Sequence, residues 1–486
     1  MESLSFCFCL PCLVPLYSYN TTNPTTMKLN GLSTAALAVV ALLPLAASVN
    51  INLDDEVSIM STAATYAYEI MTYYTNNATN TPADEVGSFP KPPYYWWESG
   101  AVWGGLVDYW AYTNDSSYVD TTRDALVANF GPNQDLIMPN KRDQEGNDDQ
   151  AFWIFALMSA LEYQFPIPSD SDPQYLDVAK KAFDGMAARW DTKTCNGGLK
   201  WQIYPDSVVG YDYKNSVSNG AFFALAARLA RYTGNQTYTD WAVKTWDWSQ
   251  RIGLIGPKYE IFDGSDDKLN CSEVNHMQWS YGVGIYLHGA ATLYNFTNGS
   301  AIWQQRTSGL LERSAVFFSP FKNATNIMWE AACEGAHSCN TDQQSFKAYL
   351  ARFLAKTAIL APFTAPAVKT LLRTSAAAAA KSCSGGSHGT TCGTKWYTGG
   401  YDGTYGLGQQ LNALEVTQAL LAGKAGAPDT QADVHIVNKP VTTTQAVPAK
   451  TSTALPTHTK NAAMMARGVR GVLGGAAVGA AVVGVW

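Results

Sequence analysis

The sequence is poor in charge, because Lys, Arg, Asp and Glu make up only 15% of its 486 residues. The formal net charge of -7, together with the lack of any block of Lys or Arg, leaves no electrostatic footprint for nucleic acid. The chain also lacks long runs in which apolar and polar residues alternate, so nothing in it predicts a sheet. With 47% hydrophobic residues it can still bury a large core. We therefore expect an ordered, all-α protein that binds a neutral or weakly polar ligand and no nucleic acid.

Clustered metal ligands are lacking as well. The six His residues are scattered along the chain, at positions 276, 288, 337, 388, 435 and 458. A metal-dependent helical toroid, such as a prenyltransferase, would need Cys, His and Asp ligands that lie together. We therefore expect neither a metal ion nor a cofactor.

The first part of the chain contains a complete secretory leader that starts at an internal methionine. Met27 and Lys28 are followed by an apolar run and, at 46–48, by small residues typical of a cleavage site. The segment before Met27 is not needed for this signal, so we expect Met27 to be the true start. Residues 1–48 are therefore predicted to be a pre-leader and a signal peptide.

The other end is an uncharged run of apolar and glycine residues, 472–486, which is too short for a comfortable membrane-spanning helix. Upstream lies a small-residue triplet that begins at Asn461, of the kind that is cut and joined to a glycosylphosphatidylinositol (GPI) anchor. Residues 462–486 are then an anchor propeptide, and 423–461, rich in Thr and Pro, form a stalk. The two ends predict a protein secreted to the cell surface, with a lipid anchor in the plasma membrane, a place in the cell wall, or both.

The cysteines and the glycosylation sequons agree with secretion. Beyond the leader the cysteine number is even, which favours disulfides in an oxidising compartment, although sequence alone allows many pairings. Close spacing favours Cys333 with Cys339, Cys383 with Cys392, and then Cys195 with Cys271. Candidate N-glycosylation sites are Asn77, Asn114, Asn235, Asn270, Asn295, Asn298 and Asn323.

Helical segments of two kinds alternate between residues 49 and 422. One kind is apolar nearly all round, as at 151–161 and 221–230, and belongs inside a fold. The other kind is amphipathic, as at 241–252, and covers an outside. The buried kind starts near Glu98, Asp149, Ser218, Gln278, Asp342 and Thr404. Because each is preceded by an amphipathic partner, we expect one monomeric domain, a toroid of six inner and six outer helices.

Inner helices of such a ring are parallel, so the loops that precede them gather at one end and should form a cleft. These loops are rich in aromatic and amide residues. Flat aromatic faces stack on sugar rings, and amides and carboxylates bond hydroxyls, so the composition suits a carbohydrate site. The residues expected to line it are Trp96, Trp97, Trp201, Tyr211, Asn219, Trp279 and Asp402.

Two adjacent acids, Asp148 and Asp149, stand at the start of the second inner helix. Acids at a helix start often do no more than cap it. Here the helix is apolar all round and begins at the aromatic rim, and like charges held together separate in pKa. Glycoside hydrolysis needs such a pair, one carboxylate as base or nucleophile and the other as acid.

The run from Gly146 to Trp153 resembles the active-site signature of glycoside hydrolase family 76, the endo-α-1,6-mannanases. Further stretches that resemble fungal cell-wall members of the family lie at 95–100, 188–191, 214–220, 278–281 and 345–352. The resemblance implies an (α/α)6 barrel and α-1,6-mannan as the substrate, with a role in wall synthesis or remodelling. It also implies a retaining reaction with Asp148 as nucleophile and Asp149 as general acid/base.

Two alternatives stay open. A transglycosylase would pass the mannosyl-enzyme intermediate to cell-wall β-glucan instead of water, and so transfer the mannose-containing GPI glycan of wall proteins; the predicted anchor favours it. A non-catalytic wall protein would bind mannan through the aromatic rim alone, but the intact aspartate pair argues against this. The sequence does not choose between water and a sugar as the acceptor.

Overall fold

The computed structural model describes residues 49–434. The predicted leader, most of the predicted stalk, the anchor site Asn461 and the propeptide lie outside the described residues. The described helices are α1 (Glu56–Thr72), α2 (Trp96–Thr113), α3 (Val119–Ala128), α4 (Asn147–Glu162), α5 (Tyr175–Ala188), α6 (Ser216–Thr233), α7 (Gln236–Arg251), α8 (Ser280–Phe296), α9 (Ala301–Arg313), α10 (Phe346–Leu360), α11 (Ala365–Ser382) and α12 (Leu407–Gln418). None of these helices is long and apolar enough to span a membrane.

The even-numbered helices form an inner ring. Each contacts the next one around the ring, and α12 contacts α2, which closes it. Each odd-numbered helix packs on the outside against an inner helix. The predicted (α/α)6 barrel is therefore confirmed, and helix starts expected near Asp149 and Ser218 are observed at Asn147 and Ser216.

The burial of each helix follows from its pattern of apolar residues. Nearly every residue of α6 is buried, because this helix is enclosed by its ring neighbours and by the outer layer. In α7 only one face is buried, including Trp246 and Trp248, while its charged residues face solvent. Apolar residues all round thus select the inner position, and an apolar stripe selects the outer one.

Within residues 49–434, short strands occur only in the connections between helices. Strands β1 (Tyr213–Asn215), β2 (Gly264–Asp266) and β3 (Val274–Asn275) form an antiparallel sheet in the order β1-β2-β3. Strands β4 (Cys383–Gly385) and β5 (Thr391–Cys392) form a second antiparallel pair. The three-stranded sheet matters for the site, because β1 runs directly into α6 and β3 lies shortly before α8.

The disulfides have the connectivity that the spacing favours. The bonded pairs are Cys195 with Cys271, Cys333 with Cys339, and Cys383 with Cys392. Cys195 and Cys271 are 76 residues apart in sequence, so their bond ties the connection before β1 to the loop between β2 and β3.

The candidate glycosylation sites are mostly on the surface. Those that are exposed are Asn77, Asn114, Asn235, Asn270, Asn298 and Asn323. Asn295 is half-buried, and its Oδ1 accepts a hydrogen bond from Arg231 Nε at 2.8 Å.

The domain extends further than the sequence indicates. Asp429 N donates to Glu162 O at 2.7 Å, and Gln431 N donates to Tyr232 O at 2.8 Å. These carbonyls belong to the ends of α4 and α6, where a helix leaves its acceptors unsatisfied. Residues 423–434, assigned to the stalk on composition, therefore pack on the barrel, and the predicted boundary at residue 422 is too early.

Candidate active site

The inner helices begin at one mouth of the barrel, and side chains from neighbouring elements meet there. Trp97 Nε1, at the start of α2, donates to the carboxylate of Asp342, which precedes α10, at 3.1 Å. Asn215, the residue before α6, donates through Nδ2 to Asp148 of α4 at 3.3 Å. These bonds bring four inner helices together around one cleft.

Asp148 and Asp149 occupy the first turn of α4 at this mouth. Asp149 Oδ2 accepts a hydrogen bond from Gly146 N, so it also has the ordinary role of an acid near a helix start. Asp148 Oδ1 accepts from Asp149 N at 3.1 Å, and its Oδ2 accepts from Asn215. Within residues 49–434 no donor reaches Asp149 Oδ1, which leaves that oxygen free to exchange a proton.

The first turn of α4 is held on both sides of the aspartates. Arg189 donates through Nε to Asn147 Oδ1 at 2.8 Å and through its guanidinium to Gln150 Oε1. Asn147 donates from its backbone N to Trp201 O at 2.8 Å and from Nδ2 to Lys200 O at 2.9 Å. The residues before and after the pair are therefore fixed, as a preorganised site requires.

Gly146 reveals how close the two carboxylates are. A Cβ at residue 146 would meet Asp149 Oδ2 at 2.7 Å and Asp148 Oδ1 at a still shorter distance. Because both oxygens lie within 2.7 Å of the same Cβ position, the distance between them is at most about 5 Å. Retaining glycosidases hold their carboxyl groups about 5–5.5 Å apart, and inverting ones about 6.5–9.5 Å. The spacing supports a retaining reaction.

The two aspartates differ in proton affinity. Burial raises the pKa of Asp148 to about 7, because little water is left to solvate its charge. Burial raises the pKa of Asp149 well above its usual range, and the charge of Asp148 raises it further. Asp148 therefore ionises first while Asp149 keeps its proton, which is the division between a nucleophile and an acid.

A third carboxylate, Asp342, lies close to the pair. Its charge adds to the raised pKa of both Asp148 and Asp149, after burial. Burial also raises the pKa of Asp342, although the hydrogen bond from Trp97 opposes this. Among residues 49–434, no group of three or more His, Cys, Asp or Glu side chains is arranged to hold a metal ion.

Aromatic rings form the wall of the cleft on the α8 side. Trp279 Nε1 donates to Asp263 Oδ1 at 2.9 Å, and its ring meets Phe346 edge-on with centroids 5.7 Å apart. Tyr281 stacks on Phe346 with centroids 3.9 Å apart. Burial, and then the charges of Asp263, Asp148 and Asp342, raise the pKa of the Tyr281 hydroxyl, so it stays protonated as a donor. Flat rings beside polar acceptors suit a sugar.

Three residues predicted to line the cleft make contacts within the protein. Trp96 is buried, and its ring stacks on Trp153 with centroids 5.2 Å apart. Asn219 is fully buried and exchanges hydrogen bonds with the backbone of Leu199 at 2.8 and 2.9 Å. Asp402 accepts hydrogen bonds from backbone N–H groups of its own loop. Sugar contacts of these three residues stay predictions, because a position near the mouth does not say where a side chain points.

The other predicted residues are near the mouth. Trp97 and Trp279 make the contacts given above, and their sugar contacts stay predictions. Trp201 is half-buried and packs against Gly210, and its carbonyl accepts from the start of α4. Tyr211 is half-buried with Lys200 Nζ 4.5 Å from its ring centroid. Sugar contacts of Trp201 and Tyr211 stay predictions.

The sequence analysis assigned no role to four residues that the structure brings to the cleft, which are Asn215, Asp263, Tyr281 and Asp342. A signal existed for three of them, because each is a polar residue within a few positions of an inner-helix start. Asp263 lies far from any inner helix in sequence and is brought to the mouth by β2 and its partner strands.

The sequence model of glycosyl hydrolase family 76 matches residues 58–432, almost the whole described chain. The chain belongs to glycosyl hydrolase family 76. Among its relatives, the mannan endo-1,6-alpha-mannosidase DCW1 of Candida glabrata is 47% identical over 375 residues, which cover 76% of this chain and 82% of that protein. The enzyme of the same name from Saccharomyces cerevisiae is 45% identical over 385 residues, covering 79% and 83%.

A solved structure agrees with the family 76 assignment. The crystal structure of Dfg5 from Chaetomium thermophilum, in complex with glucosamine, matches with a TM-score of 0.75 at 38% identity. The match covers 79% of this chain and 94% of that chain. Family 76 membership makes the chain a glycoside hydrolase, and the matched range contains every mouth residue described above.

Proposed function

We propose that this family 76 enzyme cleaves α-1,6-mannosidic bonds within mannan by a retaining mechanism. The observation that carries the proposal is the aspartate pair, two carboxylates at most about 5 Å apart whose pKa values are unequal. The substrate follows from the relatives at 45% and 47% identity, which bear the name of mannan endo-1,6-alpha-mannosidases.

In the first step the ionised Asp148 attacks C1 of a mannosyl unit, and the bond from C1 to O6 of the next mannose breaks. Asp149 gives its proton to that O6, so the departing chain leaves as an alcohol. In the second step a water gives a proton to Asp149 and attacks C1, and the ester bond to Asp148 breaks. Two inversions at C1 restore the original configuration.

We also propose that the enzyme acts at the cell surface, secreted by the leader and held by an anchor at Asn461. The predicted anchor favours a second candidate reaction, in which a β-glucan hydroxyl replaces water in the second step. The donor is then the mannose-containing GPI glycan of wall proteins, and the product joins that glycan to glucan. Asp148 and Asp149 keep the same roles in both reactions, which serve wall synthesis or remodelling.

The test is to incubate the purified protein with unbranched α-1,6-mannan oligosaccharides, with and without β-glucan oligosaccharides, and to follow products by mass spectrometry. Shorter mannosides establish a hydrolase, and hybrid mannosyl-glucan products establish a transglycosylase. NMR of the first product should show the α anomer, as retention requires.

The controls are Asp148→Asn and Asp149→Asn, which should be inactive, and Asp206→Asn, which should be active. Asp206 is a suitable match because its side chain is 70% exposed and, among the described residues, forms an ion pair only with the exposed Arg142. Mannan binding without any product from the unmutated protein would leave a non-catalytic mannan-binding wall protein.

A further inference from the structure

We propose that Asp342 is a third functional carboxylate, which binds hydroxyl groups of the mannosyl unit held against the catalytic pair. The proposal deepens the function proposed above and rests on it. Asp342 is a residue for positioning and charge, because neither step of the reaction requires it to gain or lose a proton.

The side chain of Asp342 is held in place on one oxygen. Trp97 Nε1 donates to Oδ1 at 3.1 Å. The Trp97 ring is itself packed against Phe152, with centroids 4.8 Å apart, and against Tyr349 at 5.7 Å. A carboxylate whose donor is immobilised in this way presents its second oxygen in a defined direction.

The second oxygen is available to a ligand. Within residues 49–434 no protein donor reaches Asp342 Oδ2, and no Lys, Arg or His forms an ion pair with this carboxylate. The residue is only partly buried, and its unpartnered Oδ2 keeps some solvent exposure, so a ligand can reach this oxygen. An ionised carboxylate is an acceptor only, and sugar hydroxyls are the donors that a neutral glycan can offer.

A helix-capping role does not explain the side chain. Asp342 precedes α10, where an acid often accepts from the free N–H groups of the helix. Here its backbone carbonyl accepts instead, from Ser345 N at 2.9 Å and from Ser345 Oγ at 2.7 Å. Within residues 49–434 the carboxylate accepts no hydrogen bond from the helix that follows.

The position of Asp342 matches the reacting sugar. Phe152, against which Trp97 packs, is one helical turn after Asp148 on α4 and shares its face. Asp342 and the aspartate pair therefore lie beside the same packed rings, those of Trp97 and Phe152. The charge of Asp342 raises the pKa of both aspartates. A negative charge at this place also favours the positive charge that develops on the sugar ring in the transition state.

All titratable groups that face Asp342 are acids. They are Glu98 of α2, Asp148 and Asp149 of α4, Tyr281 of α8 and Tyr349 of α10. Arg352 of α10 acts on Tyr349, but among the described residues no cation pairs with Asp342, Asp148 or Asp149. Removal of the Asp342 charge therefore lowers the pKa of both catalytic aspartates. The acidic limb of the pH profile follows ionisation of Asp148, and the basic limb follows loss of the proton from Asp149. Both limbs should then move to lower pH.

The experiment compares Asp342→Asn with Asp206→Asn, the same substitution at an exposed site. For Asp342→Asn we expect kcat/KM on α-1,6-mannan oligosaccharides to fall about 10–100-fold, the value of hydrogen bonds to a charged group. The pH profile of kcat/KM should also move to lower pH. Asp342→Glu keeps the charge, so it should lower kcat/KM while it leaves the pH profile in place. A purely structural residue would shift no pH profile.

Binding separates this proposal from the proposed reaction. In an inactive Asp149→Asn background, calorimetry with α-1,6-mannotriose should give a Kd about tenfold or more higher when Asp342→Asn is added. If the unmutated protein binds mannotriose but never cleaves it, the reaction fails and the rise in Kd still supports Asp342. An unchanged Kd and pH profile in folded Asp342→Asn would overturn the role of Asp342 alone. Absence of mannotriose binding to Asp149→Asn, together with absence of any cleavage product from the unmutated protein, would overturn both.

Discussion

The mouth and the base of the barrel both bury charged side chains, but they arrange them in opposite ways. At the base, where the inner helices end, each acid has a cation. Glu162 pairs with Arg228 at 2.8 Å, and Asp108 pairs with Lys356 at 2.8 Å. At the mouth the aspartate pair and Asp342 stand together, and within residues 49–434 no cation pairs with any of the three.

The difference shows what a partner does to a buried charge. Burial raises the pKa of Glu162 as it does that of any acid, but the charge of Arg228 more than offsets this, and the pKa ends below its usual value. At the mouth hydrogen bonds oppose the effect of burial only in part, no cation among residues 49–434 adds to them, and like charges raise the pKa values further. The pair of Glu162 and Arg228 at the base therefore holds permanent charges, whereas the mouth holds acids that can keep and release a proton near neutral pH.

The largest effect should come from substitutions at the mouth, which should lower activity without lowering stability. Asp148→Asn or Asp149→Asn is expected to lower kcat about 10²–10⁴-fold, because each removes a reacting group. The melting temperature should not fall, since the change relieves repulsion between buried like charges. Activity assays and thermal unfolding on the same samples check this. A variant that loses its fold instead would show that the pair is structural.

A substitution at the base should lower stability and leave activity nearly unchanged. Arg228→Met leaves Glu162 buried without its cation, which typically costs about 3–5 kcal/mol in the free energy of unfolding. Arg228 donates two hydrogen bonds to Glu162, at 2.9 and 2.8 Å, so both are lost. Chemical denaturation measures the change, and activity per folded molecule should stay near that of the unmutated protein.

A double variant sharpens this prediction. Arg228→Met with Glu162→Met replaces the pair by apolar groups and should recover much of the lost stability. No recovery would mean that Arg228 acts through its other contacts, which include the carbonyl of Phe155.

The third prediction disturbs the mouth without removing any charge. In Gly146→Ala the new Cβ would collide with Asp148 Oδ1 and Asp149 Oδ2, so both carboxylates must move. A misplacement of about 1 Å can cost about 10²-fold in rate. We expect kcat to fall by that order with only a small change in melting temperature. Full activity in Gly146→Ala would contradict the close spacing of the carboxylates.

The smallest expected effect is on the pH dependence of stability, which should have opposite signs for Asp148 at the mouth and Glu162 at the base. The pKa of Asp148 is raised in the folded protein, to about 7, so its contribution to stability is present at low pH and is lost as the pH rises from about 4 towards 7. The pKa of Glu162 is lowered, so its contribution is present above about pH 4.5 and is lost as the pH falls through the folded value.

Melting temperatures across this range measure both signs. Asp148→Asn should flatten the decline between about pH 4 and pH 7, and Glu162→Gln should flatten the decline at lower pH. If both variants changed the pH dependence of the melting temperature in the same direction, the distinction between mouth and base would be wrong.

Much of the fold was predictable, since helical periodicity is local. The apolar pattern of α4 and α6 predicted their inner positions, and the starts were placed within a few residues. The end of the domain was not predicted, because residues 423–434 have the composition of a stalk. They are ordered on the barrel by backbone hydrogen bonds to the ends of α4 and α6, which leave no trace in the side-chain pattern.

The site was predictable where its residues are contiguous and unpredictable where they are not. Asp148 and Asp149 stand in one short run with the helix that carries them, so sequence alone singled them out. Trp96 also stood in a suggestive run, yet its ring points into the core against Trp153. Side-chain direction depends on the packing of neighbouring helices, which a single segment does not contain.

By itself the sequence determined the ring of helical hairpins, the disulfide partners favoured by spacing, and the adjacent acids at one helix start. These features depend on periodicity and spacing along the chain. Only the tertiary structure decided that Asp342 and Tyr281 face those acids, that β2 brings Asp263 to the same mouth, and that no cation joins them there. These features depend on closure of the ring, which sets residues that are distant in sequence side by side.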